Sequence, residues 1–176
     1  MINKFLQLIA VAFLITSYLF IEDNQEWTRL TTDLCTINYP VDWIADKSRP
    51  KHVQFALLSN LNGADDLFKE NLIVVTENLQ TTMTLQQYAE ASFIELKNYI
   101  TTTSISEIKV IETDHQKYAK ITYVTQEFVA QRKVLIEQRY YIVGSTGFVL
   151  TVSQLSERQP YQEVLTKMAD SFKIKS

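Results

Sequence analysis

The chain has 176 residues, of which 46% are apolar and 21% are charged, and its formal net charge is −3 at pH 7. This composition is that of a folded domain with a substantial core, and it excludes a disordered chain or a repeat array. Residues 1–21 contain one charged residue, Lys4, so the rest of the chain carries 16 basic and 20 acidic groups. An acidic domain without a basic stripe does not suit a phosphate backbone, and we expect no nucleic-acid partner.

An uncharged apolar segment covers residues 5–21, between Lys4 and the acidic pair Glu22 and Asp23. Because the only nearby positive charge precedes this segment, we expect the N-terminus on the cytoplasmic side and the rest of the chain to be extracytoplasmic. Residues 1–21 are predicted to be a signal peptide or a membrane anchor. Cleavage would follow Ser17 at an imperfect small-residue site, whereas the segment just reaches the roughly 17–25 residues of a spanning helix. Both alternatives stay open.

Residues 22–26 are predicted to form a short tether and residues 27–176 a single domain. Cys35 is the only cysteine, so an internal disulfide is excluded. It lies too far beyond the apolar segment to be a lipid-attachment site. Since it alternates with Ile37 and Tyr39 on a predicted strand, we expect a buried thiol.

The first half of the domain has the signals of β-structure, and we predict strands at 27–30, 34–39, 52–58 and 71–76. The last of these is rich in β-branched residues, which is typical of a central strand covered on both faces. Pro40 cannot donate to a sheet ladder, so it should end the second strand, with a reversal at Val41 and Asp42 and a return strand from Trp43.

Two segments have helical spacing. Thr84 and Gln87 form a capping-box signature before the first, which extends to Ile100. Pro160 marks the start of the second. The apolar positions that recur at helical spacing are Leu85, Tyr88, Ala89, Phe93, Leu96 and Ile100 in the first and Tyr161, Val164, Leu165, Met168 and Phe172 in the second.

Further strands are predicted at 108–111, 119–128, 134–143 and 148–155, and the last three should form an antiparallel meander. Alternating polar residues indicate that one face of this meander meets water or a partner. These residues are Lys120, Thr122, Glu137, Arg139, Thr151 and Ser153. The elements together predict an α+β fold, in which an antiparallel sheet carries two principal helices and follows an N-terminal hydrophobic helix.

Several short motifs in this order resemble the PsbP-like superfamily. They are residues 37–43, which contain Tyr39-Pro40-Val41-Asp42-Trp43, and residues 67–74, 85–89, 148–151 and 171–174. The superfamily includes the PsbP proteins of photosystem II, bacterial DcrB-type envelope proteins and small exported domains of unknown function. Its members commonly have a small residue and glycine where this chain has Val41 and Asp42. The resemblance covers about residues 30–175 and implies an α/β/α sandwich, with the Tyr-Pro-x-x-Trp element as a hairpin corner whose aromatics fill the end of the core.

Residues capable of catalysis are few. His52 and His115 are the only histidines, and Asp114 beside His115 points to the opposite side of a predicted turn, so the pair is not an acid–base dyad. Asp65, Asp66 and Glu70 lack the alternate spacing of a calcium loop and are interpreted as a surface loop. We therefore predict no catalytic residue, cofactor or metal site, and a domain that is not an enzyme.

Aromatic and arginine side chains near the meander are the residue types that anchor protein interfaces. The candidate partner-binding residues are Tyr123, Arg132, Arg139, Tyr140 and Tyr141. The alternative is that the inward half of them packs beneath the helices.

Two functions are predicted. The resemblance implies a non-catalytic, membrane-tethered or exported domain that binds another envelope protein or assists assembly of a complex. The alternative is a small-molecule or lipid-binding domain, with a hydrolase as its more remote form, and it requires an apolar cavity between the sheet and the helices. A photosynthetic role does not follow, because fold likeness alone does not carry function.

Overall fold

The computed structural model describes residues 25–46, 48, 50, 52–61, 66, 68–98, 100, 102–126, 132–157 and 160–175. These residues form strands and helices in an α+β arrangement, as predicted. The hydrophobic segment at 1–21 and residues 22–24 of the predicted tether lie outside the described residues. Among those described, no helix is long and apolar enough to cross a membrane.

The strands divide into two antiparallel sheets. They are β1 (Trp27–Thr31), β2 (Cys35–Pro40), β3 (Ile44–Asp46), β4 (Val53–Leu58), β5 (Asn71–Asn78), β6 (Thr102–Ile105), β7 (Lys109–Glu112), β8 (Lys117–Gln126), β9 (Lys133–Val143), β10 (Thr146–Leu155) and β11 (Lys173–Ile174). The small sheet has the order β1-β2-β11. The large sheet has the order β3-β4-β5-β10-β9-β8-β6. Strand β7 also pairs with β8, along a different stretch of β8 from the one that pairs with β6.

The centre of the large sheet agrees with the sequence prediction. Strand β5 lies between β4 and β10, and β8, β9 and β10 form the predicted meander. Gly144 closes the β9–β10 turn with φ of 60°, a backbone conformation that favours glycine. Strand β6 was not predicted, because its Thr-Thr-Ser-Ile sequence becomes a strand through its pairing with β8.

Pro40 ends β2 as predicted, and the Trp43 amide donates to the Pro40 carbonyl at 3.0 Å. The predicted hairpin corner is wrong, because the return strand β3 pairs with β4 of the large sheet rather than with β2. The turn thus carries the chain from one sheet to the other. Trp43 is buried and its ring centroid lies 6.3 Å from that of Tyr161, so the aromatic does fill the core as expected.

The two predicted helices are α1 (Leu85–Leu96) and α2 (Pro160–Ser171). The capping box of α1 forms, because the Gln87 amide donates to Thr84 Oγ1 at 3.2 Å and the Thr84 amide donates to Gln87 Oε1 at 2.9 Å. Helix α1 packs on β7, β8 and β9, whereas α2 packs on β2, β5 and β10.

Core residues fill both faces of the large sheet. One cluster joins the sheet to α2 and the small sheet, and it includes Phe55, Leu72 and Phe172. Cys35 belongs to it and is fully buried as predicted, and burial raises the pKa of its thiol. The other cluster joins the sheet to α1 and includes Phe93. The large sheet is therefore sandwiched, with α1 on one side and α2 with the small sheet on the other.

Candidate functional site

The sequence-predicted partner residues do not form an exposed surface. Tyr123, Arg139, Tyr140 and Tyr141 are only 4%, 3%, 1% and 1% exposed. Arg132 is half-buried, with its guanidinium 5.8 Å from the centre of the Phe68 ring. The prediction that these residues are exposed is therefore wrong for the four buried ones, because the core fills both faces of the sheet.

The sequence pattern predicted that the polar residues of the meander share one face. This prediction is wrong. Lys120, Thr122 and Glu137 line a cleft beside α2, whereas Thr151 lines a groove beside α1. Successive residues of a strand point to opposite faces, so the register between strands decides which polar positions meet.

The buried Arg139 is the centre of a charge network between the sheet and α2. Its Nε donates to Glu137 Oε1 at 2.7 Å and its Nη1 donates to Asp170 Oδ1 at 2.6 Å. Its guanidinium also lies 5.1 Å from the Tyr118 ring centre, and Lys120 pairs with the second carboxylate oxygen of Glu137. Burial alone would lower the pKa of Arg139, but the charge of Glu137 and the hydrogen bonds to Glu137 and Asp170 together outweigh it and raise that pKa. This network fixes α2 to the sheet and leaves Arg139 no freedom to reach a partner.

Buried tyrosines form a second polar group under α1. The Tyr88 hydroxyl donates to Glu77 Oε1 at 2.6 Å, and the Tyr140 hydroxyl donates to Gln138 Oε1 at 2.6 Å. The two tyrosine rings meet edge to face, with centroids 5.4 Å apart. These hydrogen bonds satisfy the phenols, so the tyrosines anchor the helix rather than offering free reactive groups.

The titration of the tyrosines should reveal this burial. Burial raises the pKa of Tyr123 to about 12, and it also raises the pKa of Tyr88, Tyr140 and Tyr141. Unfolded tyrosines lose their protons near pH 10. The folded state therefore keeps protons that the unfolded state has released, and the free energy of unfolding should fall as the pH rises from about 10 through 12.

Ultraviolet absorbance of phenolate measures this directly. We expect a group of tyrosines that still resist ionisation at about pH 11 in the native protein and ionise near pH 10 in denaturant. Replacing Tyr123 with phenylalanine should remove one late-ionising group. A single native midpoint near pH 10 for all tyrosines would contradict the burial.

An open groove lies beside α1, where the helix leaves the β5 and β10 part of the sheet uncovered. We call it the α1 groove, and its volume is about 330 Å³. It is lined by Val75, Glu77, Ser92, Glu95, Leu96, Gln138, Tyr140, Val149 and Thr151. No sequence pattern indicates this groove, because its residues come from four separate elements.

The other polar candidates do not converge. His52 is exposed, and His115 is exposed in the β7–β8 turn. Asp66 and Glu70, interpreted from the sequence as part of a surface loop, are instead 2% and 0% exposed. The Ser59 hydroxyl donates to Glu70 Oε2 at 3.2 Å, which ties that carboxylate to the end of β4. Within the described part of the chain, no three histidine, cysteine or acidic residues form a group able to hold a metal ion, and Asp65 lies outside it.

Solved structures share the fold described above. The solution structure of cyanobacterial PsbP (CyanoP) from Synechocystis sp. PCC 6803 matches with a TM-score of 0.58 and 16% identity, over 88% of this chain and 96% of that one. A protein of unknown function from Pseudomonas aeruginosa matches with a TM-score of 0.55 and 11% identity, over 83% and 94%. LpqN, which is involved in cell envelope biogenesis of Mycobacterium tuberculosis, matches with a TM-score of 0.51 and 13% identity, over 89% and 88%.

At these identities the matches establish a PsbP-like fold, and they confirm the resemblance that the short motifs had indicated. No protein-family model and no curated protein sequence matches the chain.

Proposed function

We propose that the chain is a non-catalytic extracytoplasmic domain that binds another protein of the cell envelope through the α1 groove. The apolar segment 5–21, with Lys4 before it, supports export or membrane tethering. The likeness to LpqN, a protein involved in cell envelope biogenesis, supports an envelope role by analogy of fold.

The observation that carries the proposal is the composition of the α1 groove. Its floor includes the apolar side chains Val75 and Val149, and Glu77 and Glu95 supply two carboxylates, whereas no lysine or arginine lines it among the described residues. Complementary charge selects partners and speeds their encounter. The groove therefore suits a protein segment that carries both apolar and basic side chains.

The groove is also pre-formed. Glu77 is held by the Tyr88 hydroxyl at 2.6 Å, and Gln138 is held by the Tyr140 hydroxyl at 2.6 Å. Both tyrosines are buried in the core under α1, so their partners keep fixed positions on the groove floor. A surface that needs little ordering on binding loses less conformational entropy.

The alternative function requires a closed apolar cavity between the sheet and the helices. In the described residues the space on both sheet faces is filled by the two core clusters, and the α1 groove opens to solvent. An open surface of this kind supports protein docking over enclosure of a small molecule.

Site-specific photo-crosslinking in cells expressing the full-length chain tests the proposal. A photoreactive residue at Glu95, inside the groove, is compared with one at Glu90, which is exposed on the same helix outside the groove. We expect position 95 to capture one envelope protein through a segment containing lysine or arginine beside apolar residues, and position 90 not to capture it.

Charge reversal supplies the second arm. Glu95→Lys should reduce recovery of that protein about tenfold or more, because an attraction becomes a repulsion, whereas Glu90→Lys should leave recovery unchanged. Equal capture from both positions, or a captured segment that is acidic, would contradict the proposal.

A further inference from the structure

A second cleft lies at the end of the sheets, between β11, the β7–β8 turn and the end of β9. We call it the β11 cleft, and its volume is about 430 Å³. It is lined by Leu85, His115, Gln116, Lys117, Tyr141, Ile142, Val143, Lys173, Ile174 and Lys175. This volume falls in the range of sites for small molecules, roughly 300–1,000 Å³.

The rim of the β11 cleft is basic, although the chain as a whole carries a net charge of −3. Lys117 at the start of β8, Lys173 in β11 and Lys175 just after β11 line this one opening, and His115 adds an imidazole. Ammonium groups are point charges that bind carboxylates and phosphates from several directions. No acidic residue lines the cleft in the part of the chain that the structure describes, and Glu112, which pairs with Lys117 at 3.0 Å, keeps 72% of its side chain exposed.

The walls of the cleft are fixed to one another. Gln116 Nε2 donates to the Phe172 carbonyl at 2.8 Å, which ties the β7–β8 turn to the residue before β11. Lys175 Nζ donates to the Thr32 carbonyl, and its backbone amide donates to the Leu34 carbonyl at 2.8 Å. The fold thus sets the backbone positions from which the basic side chains extend.

The interior of the cleft is apolar. Ile142 and Ile174 are half-buried in its wall, and Val143 leaves 47% of its surface exposed. An exposed valine is ordinary alone, but this one lines the same cleft as two isoleucines and three lysines. A simple inorganic anion would leave this apolar surface in water.

We propose that the β11 cleft binds an anionic amphiphile. Its carboxylate or phosphate group lies between Lys117, Lys173 and Lys175, and its hydrocarbon chain covers Ile142, Val143 and Ile174. This site is separate from the α1 groove, so it stands or falls independently of the proposed protein partner. Each methylene that the cleft removes from water should tighten binding about fourfold.

Isothermal titration calorimetry of the full-length chain in phosphatidylcholine nanodiscs tests the site. The probes are octyl phosphate below its micelle concentration, inorganic phosphate and octyl glucoside, each with an empty-nanodisc blank. We expect saturable binding of octyl phosphate, and at least tenfold weaker binding of the other two probes because each lacks one half of the recognition.

Matched variants separate the cleft from general electrostatics. Lys117→Glu with Lys173→Glu should weaken octyl phosphate about tenfold or more, whereas Lys109→Glu with Lys133→Glu, which makes the same charge change at exposed sites outside the cleft, should have little effect. Val143→Ser should weaken octyl phosphate alone. Equal binding of octyl phosphate and inorganic phosphate, or equal effects of the two double variants, would overturn the proposal.

The source of the amphiphile is identified by competition. Vesicles of phosphatidylglycerol compete with octyl phosphate for the unmodified chain and for the Lys109 and Lys133 control. If they displace octyl phosphate from both proteins to the same extent, the cleft takes a lipid headgroup from a bilayer. If they do not displace it, the ligand is a free amphiphile. Either result retains the site, and loss of saturable binding overturns it.

Discussion

Replacing Arg139 with alanine is expected to lower the free energy of unfolding by about 2–4 kcal/mol. The side chain is 4% exposed and donates to Glu137 and Asp170, so its removal leaves a void between the sheet and α2. It also leaves part-buried Glu137 with Lys120 as its remaining charge partner. Chemical denaturation of the purified chain, followed by circular dichroism, measures the change.

Two matched variants show whether burial causes the effect. Arg29→Ala removes an exposed arginine that donates to Asn38 Oδ1 at 3.1 Å, and it should change stability by less than about 0.5 kcal/mol. Asp170→Asn should cost less than about 1 kcal/mol, because the aspartate side chain is 60% exposed and water screens the pair. If Arg139→Ala were as mild as Arg29→Ala, the network would not hold α2 to the sheet.

The burial of Arg139 also shows what sequence pattern alone cannot determine. Its alternation with Glu137 on a strand indicated a wet face, and the residue type suggested an interface anchor. What the pattern omits is Asp170, which reaches the guanidinium from a helix far along the chain. A buried charge is tolerated where the fold supplies its partners, and those partners are set by tertiary packing.

Elements governed by local interactions were predicted well. Thr84 and Gln87 lie three residues apart and cap α1 without help from the rest of the fold. The β9–β10 hairpin likewise depends on a short glycine-containing turn. Helix α1 nevertheless ends at Leu96 rather than at Ile100. The prediction was too long because the apolar spacing continues beyond the last helical turn.

Elements governed by distant pairing were missed. The turn after Pro40 has the local signals of a hairpin, but the strand that follows it finds its partner in β4. The α1 groove and the β11 cleft were missed for the same reason, because each combines side chains from several elements. Local sequence determines a turn, whereas sheet order depends on which apolar faces can be buried together.

Replacing Gly147 with alanine is expected to lower the free energy of unfolding by about 1–3 kcal/mol, through overpacking. A methyl group there would lie 2.6 Å from Tyr88 Oη and 2.7 Å from its Cζ. Tyr88 would have to move, and it would lose its hydrogen bond to Glu77 and its edge contact with Tyr140. Denaturant unfolding measures the loss, and tyrosine absorbance reports whether Tyr88 becomes accessible.

Gly144, in the turn just before β10, supplies the control, because it is needed for a different reason. Its φ is 60° and a methyl group there would meet open space, so Gly144→Ala should cost about 1 kcal/mol from backbone strain without disturbing Tyr88. Combining each alanine with Tyr88→Leu separates the causes. The clash predicts that Gly147→Ala becomes cheaper by about 1–2 kcal/mol when Tyr88 is shortened, whereas the cost of Gly144→Ala stays the same. Equal costs for Gly147→Ala in both backgrounds would show that its effect comes from the backbone and that Tyr88 does not rest on this glycine.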